Sequence, residues 1–186
     1  MKQIKACQHC QSSLPLEARP IFSVHPESKI IIIGQAPGLA AHNTGIPWDD
    51  KSGENLKNWL GIDDDVFYNP KKIALIPMGF CYPGGGKSGD LPPQKACAPL
   101  WHQPLMYSMN EVELIILIGK YAQDHYLKDL AKKNLTETVF NFKDYLPQYF
   151  VLPHPSPRNN IWQAKNPWFN EQVLPMLKSR IESSLR

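Results

Sequence analysis

Four short runs of apolar residues stand out along the chain, and each is nearly continuous rather than alternating with polar positions. They lie at residues 29–33, 73–76, 113–118 and 149–152. Continuous apolar runs of this length, rich in β-branched residues, are typical of strands that are buried on both faces of a parallel sheet. The pattern therefore predicts four buried strands.

The segments between these runs have the amphipathic or helix-forming character of crossover helices. The clearest of them lie at residues 52–60, 94–109 and 120–133. A last helix is predicted to begin at Asn166, a favourable N-cap followed by Pro167, with an apolar stripe through Phe169, Val173 and Leu177. Strands that alternate with helices predict an α/β fold, namely a three-layer αβα arrangement around a central, mostly parallel four-stranded sheet.

The composition predicts one globular domain over residues 1–186. Hydrophobic residues make up 42% and charged residues 20% of the chain, which excludes a disordered protein and a coiled coil. No apolar run approaches the roughly 18 residues that a membrane span requires, and no apolar stretch of a secretory signal follows the N-terminal lysines. We expect a cytoplasmic monomer without membrane association. The net charge of +3 permits binding to nucleic acid but does not require it.

Unusual loops follow three of the predicted strands, where ligands of open α/β sheets bind. The prolines on both sides of His154 fix its backbone, and the loop after it offers groups that bind phosphates or base edges. A tight strand exit and a Pro-rich turn with a solvated histidine are the structural alternatives for the first and last loops. The three loops are Gly34-Gln35-Ala36-Pro37-Gly38, Pro77-Met78-Gly79-Phe80-Cys81 and Pro153-His154-Pro155-Ser156-Pro157-Arg158-Asn159.

Together these loops resemble the uracil-DNA glycosylase superfamily. The residues from Gly34 to Gly38 resemble its first motif, and the segment from His154 to Asn159 resembles the His-Pro-Ser-Pro-Arg-Asn loop of the single-strand-selective monofunctional branch. The segment Gly45-Ile46-Pro47-Trp48 is similar to the one whose aromatic ring stacks on a flipped base. The resemblance implies a hydrolase of base-excision repair that cleaves the N-glycosidic bond of uracil, or of a related deaminated base, in DNA.

The chemistry of base removal assigns candidate catalytic residues. Breaking the glycosidic bond leaves positive charge on the sugar and negative charge on the pyrimidine, so the site needs a carboxylate and a hydrogen-bond donor. We assign the donor to His154 and the carboxylate to Asp50, with Gln35 positioning water or the base edge. Asp49 and Asp50 also suit a helix N-terminus near Ser52, and this capping role is the alternative.

The resemblance also implies two sets of binding residues, although Trp48 and Phe80 equally suit a hydrophobic core. In several branches an Asp or Asn occupies the position of Ala36. In the iron-sulfur branch an acidic residue occupies the position of Gln35. The residues that we expect to bind the substrate are Gly34, Ala36, Pro37, Gly38, His42, Trp48, Asp49 and Phe80. Those that we expect to bind DNA are Pro155, Ser156, Pro157, Arg158 and Asn159.

The four cysteines form two pairs, Cys7-x2-Cys10 and Cys81-x15-Cys97. In a reducing compartment such cysteines are more often ligands or core residues than disulfides. Four thiolates suit a [4Fe–4S] cluster or a structural zinc ion, and four unliganded core cysteines are a third reading. The spacing and placement resemble the iron-sulfur branch of the superfamily, which implies the cluster.

Two functions are consistent with these residues. The first is a monofunctional glycosylase, because no lysine is placed as the amine nucleophile that strand cleavage would need. The second is a metal-containing protein that binds DNA or a base without excision, which the missing acids at positions 35 and 36 favour.

Overall fold

A four-stranded parallel sheet forms the centre of the molecule, which is described here by a computed structural model covering residues 1–87 and 89–186. The strand order is β2-β1-β5-β6, and a separate two-stranded antiparallel hairpin pairs β3 with β4. The strands are β1 (Ile30–Gly34), β2 (Ile73–Pro77), β3 (Gly85–Gly86), β4 (Gly89–Asp90), β5 (Leu114–Ile118) and β6 (Tyr149–Leu152).

The strands of the sheet are buried on both faces, as the apolar runs predict. The four isoleucines of β1, at positions 30–33, are each at most 1% exposed although consecutive side chains point to opposite faces. Parallel registers align Ile30 with Ile73 on one side and with Leu114 on the other. Burial at this level stabilises the fold by about 1.5–3 kcal/mol for each large apolar side chain.

Helices cover the sheet and complete the predicted three-layer αβα fold. Helix α6 packs against β1, β5 and β6, whereas α9 packs against β5 and α3. The α-helices are α1 (Lys2–Lys5), α2 (Leu39–Thr44), α3 (Lys51–Leu60), α4 (Asp64–Phe67), α5 (Cys97–Tyr107), α6 (Gly119–Leu127), α7 (Leu135–Phe140), α8 (Asn160–Lys165) and α9 (Leu174–Ser184). The fold class predicted from the sequence is confirmed.

Shorter helical turns explain where the predicted helix bounds differ from the observed ones. The predicted helix at 120–133 ends as α6 at Leu127 and continues as the 3-10 turn Lys128–Leu130. The predicted last helix begins in a π-helical turn, Phe169–Val173, and becomes α-helical at Leu174. Further 3-10 turns lie at Gln11–Ser13, Phe142–Tyr145 and Pro157–Asn159.

The parallel arrangement brings the functional loops to one edge of the sheet. The carboxyl ends of β2, β1 and β6 lead into the three loops that the sequence singled out, and the Gly34 to Gly38 loop runs directly into α2. Among the helices of residues 1–87 and 89–186, none combines the length and apolar character needed to cross a bilayer.

Candidate active site

A cavity of about 470 Å³ opens at the carboxyl edge of the sheet. Its walls come from the β1–α2 loop, the segment before α3, the β3–β4 hairpin and the loop after β6. Gly34, Asp50 and His154 all line it, so residues far apart in the sequence face the same space. Its volume falls within the range of about 300–1,000 Å³ that small-molecule sites occupy.

Trp48 forms one aromatic wall of this cavity. Gly34 packs closely against its ring and Gly53 against its backbone. A Cβ atom on Gly34 would lie 2.6 Å from Cζ2 of Trp48, and one on Gly53 would lie 1.8 Å from the Trp48 carbonyl oxygen. Trp48 itself has a φ of 60°, which is strained for a bulky residue. The Trp48 and His154 rings lie 5.8 Å apart between centroids, at an angle of 33°. These contacts fix the ring at the cavity.

His154 is held in one orientation and one tautomer. The backbone N–H of Ser156 donates to its Nδ1 at 3.2 Å, so the proton of the neutral ring is assigned to Nε2. The side chain of Asn159 donates to the His154 carbonyl oxygen at 2.6 Å. Burial lowers the pKa of His154, and the negative charge of Asp50 partly opposes that shift. The ring is therefore a neutral N–H donor at pH 7.

Asp50 caps a helix and also faces the cavity. As the N-cap of α3, its Oδ1 accepts the backbone N–H of Gly53 at 2.9 Å. Its Oδ2 lies 3.6 Å from the position that a Cβ on Gly38 would occupy. The capping role and the site role, which the sequence presents as alternatives, thus involve different oxygens of one carboxylate.

Asp90 is a second carboxylate of the cavity, and sequence reasoning missed it. It ends β4 in the Gly/Pro-rich loop, and its Oδ2 lies 3.4 Å from the same Gly38 Cβ position. Partial burial and the charge of Asp50 raise the pKa of Asp90, whereas Arg158 lowers it. The one available signal was that Asp90 is the sole acid among residues 82–93.

The remaining residues of the β1–α2 loop also line the cavity. They are Gln35, Ala36, Pro37 and Gly38. The Nε2 of Gln35 donates to the carbonyl oxygen of Leu91 at 3.1 Å, which ties this loop to the residue after the β3–β4 hairpin. Gln35 therefore holds the hairpin, and its amide oxygen and second amide N–H are left to face a ligand.

The structure places His42, Asp49 and Phe80 outside the cavity lining, unlike the expectation for substrate-binding residues. His42 is buried in α2, where its ring packs 6.1 Å from that of Tyr82. Phe80 is buried edge-on against Phe22, with ring centroids 5.4 Å apart. Asp49 is exposed and does not line the cavity, whereas Asp50, whose backbone is extended, does.

The His-Pro loop contributes to the cavity through part of its length. Ser156, Arg158 and Asn159 line the cavity. Pro155 is buried, because Asn55 of α3 donates to its carbonyl oxygen at 3.0 Å and holds it against the protein. Pro157 is exposed and begins the 3-10 turn that Ser156 caps. The loop therefore presents Ser156, Arg158 and Asn159 to the cavity, and Pro157 with Arg158 to the surrounding surface.

The four cysteines come together around one small cavity, on the far side of Phe80. Cys7 and Cys10 from the N-terminus meet Cys81 and Cys97, and the Cys10 and Cys97 thiols are hydrogen-bonded. Burial raises the pKa of Cys81 and of Cys97 to about 11, and the neighbouring thiols add to the rise. No group of three or more His, Cys, Asp and Glu side chains in residues 1–87 and 89–186 is arranged around a single metal ion.

The parallel sheet and its polar cavity define an α/β protein whose cavity lies at the edge where this class binds ligands. The family model of the uracil DNA glycosylase superfamily matches residues 22–178. A solution NMR structure from Methanosarcina acetivorans, of a candidate uracil DNA glycosylase, is similar over 87% of this chain and 98% of that chain, with a TM-score of 0.51 and 13% identity.

The chain belongs to the uracil DNA glycosylase superfamily, which confirms the resemblance seen in its sequence motifs. Membership supports a DNA glycosylase in general terms, that is, a hydrolase of N-glycosidic bonds. At 13% identity the NMR structure supports the fold alone.

Proposed function

We propose that the protein is a monofunctional uracil-DNA glycosylase that acts in base-excision repair. It hydrolyses the N-glycosidic bond of uracil, or of a related deaminated base, after flipping the nucleotide out of DNA. The observation that carries the proposal is the meeting of a neutral His154 and the Asp50 carboxylate on the walls of one base-sized cavity.

Trp48 provides the surface on which the flipped base stacks. Extruding a nucleotide from DNA costs a few kcal/mol, and stacking on an aromatic side chain recovers about 1–3 kcal/mol per base. Because Gly34 packs against the Trp48 ring and Gly53 against the Trp48 backbone, little ordering is required when the base arrives.

His154 stabilises the departing pyrimidine. As the C–N bond breaks, its electron pair moves to the base, and negative charge collects on the pyrimidine O2. The Nε2–H group, fixed by the Ser156 bond to Nδ1, donates to that oxygen. A preorganised donor of this kind contributes about 100-fold to 1000-fold in rate. A neutral ring gives up no proton and remains a donor throughout.

Asp50 stabilises the positive charge on the sugar. One of its oxygens is fixed by the α3 N-terminus, so the other is held towards the cavity without a large loss of side-chain freedom. Gln35 keeps the hairpin closed against the β1–α2 loop and presents its amide oxygen to water or to the base edge.

DNA binds across the cavity mouth as the partner of a cytoplasmic, monomeric enzyme. Arg158 contacts the phosphate backbone, and Pro157 beside it fills the space that the flipped nucleotide leaves. The net charge of +3 assists this approach.

A [4Fe–4S] cluster is the metal group that we propose for the four cysteines. The donor set consists of thiols only, and four cysteine thiolates are the usual ligands of such a cluster. Cys7, Cys10, Cys81 and Cys97 would hold it. Its contribution is structural, because it would tie the N-terminal segment to the loop after β2.

A strand-cleavage assay tests the proposed function. End-labelled single- and double-stranded oligonucleotides that carry one uracil, hypoxanthine or xanthine are incubated with the purified protein and then heated in alkali. We expect an alkali-dependent cut at the uracil, because alkali breaks DNA at an abasic site. Cutting before alkali would contradict the monofunctional assignment, and intact strands for all three bases would favour a protein that binds without excision.

A further inference from the structure

Asp90 is an acidic side chain at a surface that, under the proposed function, faces DNA. It is exposed at the rim of the cavity, at the end of the β3–β4 hairpin. A carboxylate there repels the phosphates of the substrate and so weakens binding. Its presence therefore points to a role in the reaction rather than in DNA binding. None of the roles assigned to Asp50, His154 and Gln35 accounts for it.

The oxygens of Asp90 and Asp50 face the same point of the cavity wall. Both Oδ2 atoms lie within ordinary contact distance of one position beside the Gly38 backbone, at 3.4 Å and 3.6 Å. A side chain larger than hydrogen at Gly38 would fill the space between them. A water molecule held between the two carboxylates would be next to the sugar of a base that is stacked on Trp48.

The two carboxylates have different surroundings, which separates their roles. Asp50 accepts a backbone N–H with Oδ1 and stands at the N-terminus of α3, whose first-turn N–H groups face its carboxylate. Partial burial, together with the negative charge of Asp50, raises the pKa of Asp90, and the positive charge of Arg158 opposes this rise. A carboxylate fixed by the helix N-terminus suits stabilisation of the sugar cation, whereas the group whose pKa is raised suits proton transfer.

The hairpin that carries Asp90 is tied to Gln35 on one side and lies against Arg158 on the other. Gln35 donates to the Leu91 carbonyl, and the Leu91 N–H donates to the Gly84 carbonyl at 2.8 Å. On the other side, a Cβ on Gly89 would lie 3.2 Å from a guanidinium nitrogen of Arg158. The carboxylate is thus positioned between the first-motif loop and the His-Pro loop rather than on a loose tip.

We propose that Asp90 is the general base that activates the attacking water, while Asp50 stabilises the sugar cation. This inference rests on the proposed function. The Asp90 carboxylate takes one proton from water as the water oxygen bonds to C1′ of the deoxyribose. The C1′–N1 bond breaks, and its electron pair leaves with the base. The proton on Asp90 then passes to the base anion or to solvent, which gives free base, an abasic site and the original carboxylate.

The test compares Asp90→Asn with wild type in single-turnover base release and in DNA binding. We expect the rate of Asp90→Asn to fall by about 100-fold to 10,000-fold, while its affinity for a uracil-free oligonucleotide stays equal or rises because a negative charge is gone. Asp129→Asn, which removes an exposed acid remote from the cavity, is the matched control for charge and should react like wild type.

The pH profile gives a second readout that a purely structural role would not change. The groups that face Asp90 and can affect its profile are Asp50, Arg158 and His154. We expect the wild-type rate to fall at low pH as Asp90 is protonated, Asp90→Glu to retain that limb with a reduced rate, and Asp90→Asn to lose the Asp90 inflection.

The outcomes separate this inference from the proposed function. If wild type releases base and Asp90→Asn releases it within about threefold of the wild-type rate, the assignment of Asp90 is wrong and the proposed function stands. A parallel loss of rate and of DNA affinity in Asp90→Asn would also overturn it. If wild type releases no base, the proposed function itself fails.

Discussion

Trp48 shows how much of the site depends on a single side chain and on the glycines around it. Its ring fills the space where Gly34 would otherwise carry a Cβ atom, 2.6 Å from Cζ2. We expect Gly34→Ala to displace the ring, to destabilise the protein by about 1–3 kcal/mol through overpacking and to slow base release. Urea unfolding and single-turnover assays measure the two effects.

A double-mutant cycle isolates the contact behind that prediction. In the Trp48→Ala background the clash is absent, so adding Gly34→Ala should change stability and rate much less than it does in wild type. Equal effects in both backgrounds would show that Gly34 acts independently of the Trp48 ring.

Two substitutions at Asp50 separate the effect of its negative charge from the effect of its capping hydrogen bond. Asp50→Asn keeps an oxygen that can accept the Gly53 N–H, so it should unfold like wild type but release base at least about 100-fold more slowly. Asp50→Ala should lose the same activity and in addition about 1 kcal/mol of stability with the cap. A fully active Asp50→Asn would remove Asp50 from the mechanism.

The sequence predicted those site residues that follow directly from strand ends. Gly34, Gln35 and His154 lie at the ends of buried parallel strands, whose carboxyl ends must share one edge. Asp90 was missed because its place at the cavity depends on the Gln35 bond to Leu91 and on the approach of Arg158, and residue spacing does not encode those contacts. His42 was wrongly expected at the cavity, because its position in the helix α2 buries its ring beside Tyr82.

At the scale of elements, the apolar runs predicted the strands well because both faces of each strand are buried, which leaves no polar position to confuse the pattern. Helix ends were harder to predict. The π-helical turn at Phe169–Val173 and the 3-10 turn after α6 use the same residue types as an α-helix, so tertiary packing decides between them.

His102 joins three elements through buried hydrogen bonds. From α5, its Nε2 donates to the Pro77 carbonyl at the end of β2 at 3.0 Å, and its Nδ1 accepts the hydroxyl of Tyr126 in α6 at 2.5 Å. Burial lowers the pKa of His102 to about 4, against 6.5 for the free side chain, with opposition from the Pro77 bond. The neutral ring is therefore part of the folded state.

The lowered pKa of His102 predicts acid-sensitive stability. Between pH 6.5 and 4 the unfolded chain binds a proton that the folded protein does not, so stability is complete above about pH 6.5 and falls as the pH is lowered. The loss should reach about 3 kcal/mol near pH 4. Urea unfolding across this range should show a steeper decline for wild type than for His102→Asn. Identical slopes would contradict the assignment.

At the scale of the whole molecule, the cysteine cluster links the N-terminal segment to the sheet. The backbone N–H of Arg19 contacts the Cys81 thiol, and its guanidinium donates to the carbonyl oxygens of His42 and Asn43 at the end of α2. The cluster region is thereby connected to the helix that follows the first-motif loop. The sequence spacing of the cysteines indicated shared ligation, but only the fold shows that the pairs meet.

Cys7→Ser tests whether the cysteines bind one metal group together. We expect protein purified without oxygen to be brown, and the variant to lose both colour and bound iron and to melt at a lower temperature. Cys97→Ser should have the same effects, and the double variant should be little worse than either single one. Bound zinc without visible absorption would contradict the cluster, and unchanged metal content in both variants would exclude shared ligation.

The most direct test of the account is the amount of free base that the protein releases from DNA containing a single uracil. We predict one free uracil for every alkali-labile site in wild type. For His154→Ala we predict a rate about 100-fold to 1000-fold lower with unchanged DNA affinity. DNA that binds to wild type yet yields no free uracil, hypoxanthine or xanthine would contradict the account, as would a His154→Ala variant that reacts at the wild-type rate.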